Sequence, residues 1–434
     1  MEHARVTIQS LAHGGDGVAR LPDGRTLFVP HTCPGDDITV EVREIHDRWA
    51  RGTVRETHTA SADRVEPRCP YFGICGGCQW QHVNYEHQLA AKGATLEESL
   101  RRIGHLDAAE VAPVVPSPAP YGYRNRIELQ AGTGARGPIF GYARAGTHEV
   151  MAIDTCDLLP ERFRGLPRAI GGALRFAVSR GAAGIERVAV RVSSRGVVAI
   201  DLWTPPGAFP RAAVARVLAE STGARNITRV IARGEMERRD IAAVEVLAGP
   251  GAWEEWLGGD RYLISAPSFF QVNTSGAALL RQHALASLSA DGTMRVADLY
   301  SGVGTFTLPL ARAAGEVVAV EGSRFALGDL RRNLDHAHLS ADVVPGDAAH
   351  AVPELGHLDA ALVDPPRSGL SDNAMRALIG ARIRTLVYVS CDPATLARDV
   401  ARLIETGYAP RSFVPVDLFP QTFHLETVAL LELP

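Results

Sequence analysis

In the stretch YVSCDPATLARD, Tyr388 to Asp399, a cysteine closes an apolar, β-type run and is followed at once by Asp-Pro and a helical pattern. A thiol inside such a run is a small hydrophobe; a thiol at its end is offered to whatever the strand ends face. In an open α/β sheet those ends line the ligand crevice, so Cys391 is expected to act as a nucleophile. The preceding apolar run ends in LVDPPRSGL, with Asp364-Pro365-Pro366, and Glu426 opens the last one in FHLETVALLEL. A nucleophile that adds to a ring and must later leave needs a base to remove a proton, and Glu426 is the candidate.

A second set of thiols suggests metal chemistry. Cys69-x5-Cys75-x2-Cys78 places three in one loop with Gly73, Gly76 and Gly77, and Cys156 in IDTCDLLP completes a set of four. Four thiolates suit a cubane iron–sulfur cluster or tetrahedral zinc, and three-plus-one spacing leans towards iron–sulfur. The loop lacks the CxxxCxxC spacing of radical enzymes. Cys33, in HTCPGDD, stands apart and is expected to be buried and inert.

VADLYSGVGTFTLPLA (296–311) reads as a strand, a Gly-rich turn and a helix start. Gly302 and its neighbours let a ligand approach the backbone at the mouth of a sheet. Glu321 ends the next apolar run, where an acidic side chain can accept hydrogen bonds from ribose hydroxyls. Asp347, in VVPGDA, follows the third run. The turn is not the G-x-G-x-x-G of dinucleotide sites, because an aspartate precedes the glycines and no third glycine follows. Asp298 stands where a carboxylate could meet a cationic methionine group. S-adenosylmethionine is the expected cofactor.

The elements that must position these groups follow from hydrophobic periodicity. Apolar runs at 294–300, 316–321, 342–344, 358–363 and 383–390 alternate with helical stretches; runs at 413–418 and 427–433 close the chain without a helix. Five βα steps and a terminal hairpin describe an open parallel sheet with one antiparallel edge, and by analogy this resembles the class I, Rossmann-like α/β fold of S-adenosylmethionine-dependent methyltransferases. Residues 1–58 carry short alternating runs between Gly, Pro and Asp-Gly turns, fitting a five-stranded barrel of oligonucleotide-binding shape. An α+β central domain takes 66–83 and 119–265, a helix and Pro-rich connector associated with the catalytic domain take 84–118, and the catalytic domain takes 266–434.

At 434 residues, the chain exceeds one compact core; 46% hydrophobic and 22% charged residues are ordinary for a soluble protein. A net charge of −4 excludes a chain that coats nucleic acid indiscriminately. A local basic surface stays open: YGYRNRIEL sets Arg124 and Arg126 beside Tyr121 and Tyr123, a composition that suits phosphate and base contact as well as an ordinary strand surface. Lys92 is the only lysine. No apolar segment is long enough to span a bilayer and the N-terminus lacks a signal-peptide layout, so a cytoplasmic protein is expected; a monomer is the default, since nothing in the sequence reads on oligomeric state.

A thiol beside a methyl donor suggests one reaction. Carbon 5 of uracil is a poor nucleophile, but thiolate addition at C6 makes it an enolate carbon able to attack a methyl sulfonium. DLYSGVGTFTLPLA, FFQVN, DPPRSGL, SCDPATLARD and HLETVALL together resemble the bacterial RNA uracil-C5 methyltransferases. CPYFGICGGCQWQH is similar to the cluster segment of their iron–sulfur members, and residues 1–58 resemble the TRAM domain. The resemblance implies Cys391 as nucleophile and Glu426 as base. It implies Gln271, Tyr300, Glu321, Asp347 and Asp364 as contacts to the methyl donor or target base, with Asp364 near the reacting groups. It also implies a [4Fe-4S] cluster on Cys69, Cys75, Cys78 and Cys156, and an RNA substrate, 23S rRNA before tRNA. Two positions depart from the family: Thr305 and Asp392, where asparagine is frequent. A carboxylate beside the thiol would, if unpaired, disfavour the thiolate. The rival readings are an amino-group methyltransferase, whose D/N-P-P-aromatic motif is broken here by Arg367, and a metal-stabilised RNA-binding protein.

Overall fold

The computed structural model describes residues 2–107, 110–135, 137–182, 184–234 and 240–434. In Thr26–Val29, and over the first six residues of Asp37–Ile45, every second side chain is buried, as a strand covered on one face requires. With Glu2–Thr7, Ser10–Leu11, Gly17–Arg20 and Trp49–Thr59 they form one six-stranded sheet whose core includes Val6, Leu27, Ile38 and Val40. The sixth strand, beyond the five expected, is Ser10–Leu11, which pairs only with Gly17 and Val18. Two residues are too few to show an alternation.

The catalytic sheet contains β1 (Arg295–Leu299), β2 (Glu316–Glu321), β3 (Asp342–Pro345), β4 (Ala360–Val363), β5 (Thr385–Ser390), β6 (Ala409–Val416) and β7 (Glu426–Glu432). Their spatial order is β3-β2-β1-β4-β5-β7-β6. β1 to β5 are parallel, and β7 runs antiparallel to both β5 and β6. All four residues of β4 are buried, as expected where helices cover both faces. The order reverses between β1 and β4, and such a switch point opens a crevice at the strand ends. β6 starts earlier than its apolar run, since Ala409, Pro410 and Ser412 also pair with β7, across a register shift between Pro410 and Ser412. Its outer edge is covered: the Pro-rich connector bridges it in parallel at Val111 to Phe413 and Val115 to Val416.

Between these units lies a second seven-stranded sheet, with the helices Leu166–Ser179 and Arg211–Thr222 sharing its core. The hairpin Ala252–Leu257/Asp260–Ser265 packs elsewhere: Trp253, Leu257 and Tyr262 share a core with Leu308 and Leu330 of the catalytic domain. We therefore propose a domain boundary before residue 252. Among the described residues no helix is long and apolar enough to cross a membrane.

The helix Tyr85–Arg102 is tied to the catalytic domain by the chain's only lysine. Lys92 Nζ donates to Asp417 Oδ1 at 2.6 Å and to the Phe419 carbonyl at 3.1 Å, and both charged side chains are wholly buried. Tyr85 donates to the other Asp417 oxygen at 2.9 Å. Removing one partner of a buried pair strands the other charge in low dielectric. Lys92→Ala is expected to cost about 3–5 kcal/mol of unfolding free energy. The joint replacement Lys92→Met, Asp417→Asn should recover most of it in urea denaturation.

Candidate active site

The pairing of β5 with β7 sets Ser390 opposite Thr427. The paired register ends there; Cys391 and Glu426 are the next residues on the two chains, close enough that the Glu426 charge acts on the thiol. Asp364 leaves the end of neighbouring β4, its backbone N–H donating to the Leu299 carbonyl at 3.2 Å. Cys391 is half-buried and Glu426 is buried. Burial, reinforced by Glu426 and Asp364, pushes the Cys391 thiol up to about 12; Arg367 opposes the shift. Burial and Asp364 likewise hold the Glu426 carboxyl well above the usual range, again against Arg367. Burial raises Asp364 to about 7, with the Asp298 charge adding to it. One guanidinium thus serves both reacting acids, Cys391 and Glu426. Arg367 Nη2 donates to His424 Nδ1 at 2.9 Å, and burial with the Arg367 charge lowers that imidazole to about 4, keeping it a neutral acceptor.

Two cavities meet at these groups. One, of about 530 Å³, is lined by Tyr300, Gly302, Glu321 and Asp364. Tyr300 turns the chain out of β1 at φ +65°, an uncommon backbone for a non-glycine residue. At Gly302, φ is +57° and a Cβ would meet open space, so the turn leaves room for a ligand against the backbone. Glu321 is fixed by N–H groups of Gly302 at 2.9 Å and Ser323 at 2.6 Å, with lone pairs left for hydroxyl donors. These features fit a nucleoside-bearing methyl donor. Asp347 does not line this cavity; it caps the short helix after β3 through the Ala349 N–H. Asp298 also lies outside it: it is fully buried and accepts from Thr307, so it cannot touch a sulfonium as its position in the sequence suggested.

The other cavity, of about 420 Å³, is lined by Cys69, Cys75, Cys78 and Cys156. Phe269, Gln271, Arg367, Cys391 and Glu426 line both cavities. All four clustered thiols are free, as is the buried Cys33. Burial raises each clustered thiol, Cys78 to about 12, and the charges of neighbouring cysteines add to the shift at Cys69, Cys75 and Cys78. Among the described residues, however, no group of three or more His, Cys, Asp or Glu side chains converges as a metal site. Ligand geometry therefore does not support the expected [4Fe-4S] cluster.

The YGYRNR motif is not an exposed RNA patch. Tyr123 is buried with its hydroxyl on the Pro420 carbonyl, Asn125 donates to the Gln271 carbonyl, and Arg126 pairs with Glu128. It joins the central sheet to the FFQVN segment. Asp392 is satisfied as well, accepting from the Ala394 and Thr395 N–H groups at the start of the Pro393–Ile404 helix. The sequence reading noted Arg367 only as a broken motif and gave His424 no role. Their partnership across 57 residues leaves no local signal.

A crevice at the switch point of a β3-β2-β1-β4-β5-β7-β6 sheet, with a fixed second-strand carboxylate, defines an S-adenosylmethionine-dependent methyltransferase. The family models for the tRNA (uracil-5-)-methyltransferases, the TRAM domain and the methyltransferase small domain match residues 356–433, 2–54 and 271–387. Chains described as uncharacterized RNA methyltransferases from Thermosynechococcus vestitus and Gloeobacter violaceus are each 35% identical, over 98% of this chain and 96% of theirs. The crystal structure of Pyrococcus abyssi tRNA (uracil-54, C5)-methyltransferase with S-adenosyl-L-homocysteine superposes with a TM-score of 0.75 at 28% identity, covering 99% of this chain and all of that one. This chain belongs to the RNA uracil-5-methyltransferase family.

Proposed function

We propose that this protein methylates carbon 5 of one uridine in RNA through a covalent adduct on Cys391, with Glu426 removing the C5 proton. Cys391 and Glu426 both line the two cavities, just beyond the last paired residues Ser390 and Thr427, and this supports the reading. Bound S-adenosylmethionine supplies an electrophilic methyl group, held beside Gln271, Tyr300, Gly302, Glu321 and Asp364. Cys391, as thiolate, adds to C6 and pushes electrons onto O4 and C5. C5 forms a bond to the methyl carbon as the methyl–sulfur bond breaks. Glu426 takes the C5 proton, the C6–sulfur bond breaks, and Cys391 leaves as thiolate. A carboxylate made less acidic by burial is the stronger base for that step. Both reacting groups begin as weak acids, so each must lose its proton first; Arg367 favours both anions.

The substrate proposed is 23S rRNA, on the likeness of the barrel and cysteine loop to family members that carry both. The tRNA-modifying relative of known structure favours transfer RNA as the second reading. We also propose a [4Fe-4S] cluster on Cys69, Cys75, Cys78 and Cys156, supported by four free thiols around one cavity. Its part would be structural, holding the cysteine loop against Cys156. Incubation with labelled methyl donor and total RNA, followed by nucleoside identification and mapping, should give 5-methyluridine at one site in 23S rRNA. Label in N6-methyladenine would overturn the reaction; label in tRNA alone would overturn the substrate. Anaerobic protein from the same preparation should carry about four irons and broad visible absorption; protein lacking both would remove the cluster.

A further inference from the structure

The loop between Ser10–Leu11 and Gly17–Arg20 of the N-terminal sheet reaches Asp392, the residue after the nucleophile. Trp80 Nε1 donates to the Gly15 carbonyl at 3.0 Å, and a Cβ on Gly15 would come within 2.7 Å of Gln79 Cβ, so the loop is seated tightly on the cysteine segment. This places His13 Nε2 3.6 Å from Asp392 Oδ2, and its ring edge-on to Phe423 at 5.2 Å. Phe423 in turn lies 4.2 Å from the His424 ring that supports Arg367. One residue of the N-terminal sheet's loop therefore meets Asp392, next to Cys391, and Phe423, three residues before Glu426.

Asp392 places a carboxylate directly beside Cys391. We propose that His13 is a positioning residue for methyl transfer: it holds the Asp392 carboxylate on its helix cap and offsets its charge, so that the nucleophile is complete only with the barrel docked. This rests on Cys391 being the nucleophile. Around Cys391 the charged groups are Glu426 on β7, Asp364 and Arg367 after β4, and adjacent Asp392. Around Asp392 they are His13 from the barrel and the two capping N–H groups, and together these hold its carboxyl well below the usual carboxylate range, against burial. At 3.6 Å the contact is longer than a hydrogen bond and pairs opposite charges only while His13 carries its second proton, with the side chains 37% and 16% exposed. Its effect on the thiol should accordingly be several-fold, not orders of magnitude.

The test is a double-mutant cycle on the full chain without RNA, reading the rate of iodoacetamide alkylation at the Cys391 peptide against pH. His13→Ala should slow alkylation about threefold at a fixed pH and move the profile towards alkali. His13→Gln, which keeps a donor, should recover part of the loss. In an Asp392→Asn background, where asparagine still caps the helix, His13→Ala should have no further effect. Equal slowing in both backgrounds, or none in either, overturns the proposal. Should His13→Ala fail to fold, Asp392→Asn alone decides. A carboxylate already offset by His13 predicts less than twofold acceleration, and one that is not predicts a larger gain. Methyl transfer by Cys391→Ala separates the outcomes: if it persists, the nucleophile reading itself fails; if it is lost, a negative cycle refutes only the role of His13.

Discussion

Cys391→Ala is expected to abolish methyl transfer to RNA, by a factor of about 10⁴ or more, while S-adenosylmethionine binding stays within about twofold. The contrast follows from geometry. Tyr300, Gly302 and Glu321 shape the donor cavity from β1 and β2, whereas Cys391 stands at its rim, where the cavity meets the thiol-lined one. Without sulfur at C6 the pyrimidine keeps its unreactive C5 carbon. Cys391→Ser should not rescue, because a hydroxyl is a far weaker nucleophile than a thiolate at the pH of the assay. Calorimetry with the methyl donor, together with a methylation assay, measures both halves. An amino-group methyltransferase would keep its activity, since that chemistry needs no thiol.

Glu426→Gln should separate the two halves of the reaction. Glutamine matches the shape of the side chain and cannot accept the C5 proton as a base. Addition and a single methyl transfer should proceed, and elimination should stall. Turnover is expected to fall by about 10²–10⁴-fold, with methylated RNA accumulating on the protein through Cys391. The substitution also removes a carboxyl that, after burial, is the largest influence raising the thiol. Adduct formation should therefore be no slower than in the parent protein. Denaturing electrophoresis with labelled methyl donor would show one stoichiometric band. A variant that turns over normally would assign the proton to another base.

The framework of the catalytic domain was legible because its signals are local. Buried parallel strands read as continuous apolar runs, and the glycines and turn residues between them mark the strand ends. Cys391, Asp364, Glu321 and Glu426 could be placed at strand ends for the same reason, and the antiparallel pairing of β7 with β5 ends at Ser390 and Thr427, each next to one of the reacting residues. Contacts made by the tertiary fold were not legible. Arg367 meets His424 only because β4 and β7 flank β5. His13 reaches Asp392 only because the barrel docks on the cysteine segment. Asp298 failed in the opposite sense. Its position in the motif suggested a ligand contact, but the turn folds Thr307 over it and removes it from the cavity. The arginines and tyrosines of YGYRNRIEL have the composition of an RNA surface, yet the strand they begin pairs inside the central sheet. Composition cannot distinguish a basic surface from a polar joint between domains.

The most direct measurement uses RNA in which 5-fluorouridine replaces uridine. Fluorine at C5 leaves no proton for Glu426 to remove, so elimination is blocked after methyl transfer. The expected product is a complex that survives denaturation, requires S-adenosylmethionine, and yields on digestion a methylated fluoropyrimidine attached to the peptide containing Cys391. Absence of such a complex, or its persistence in Cys391→Ala, would contradict the covalent account.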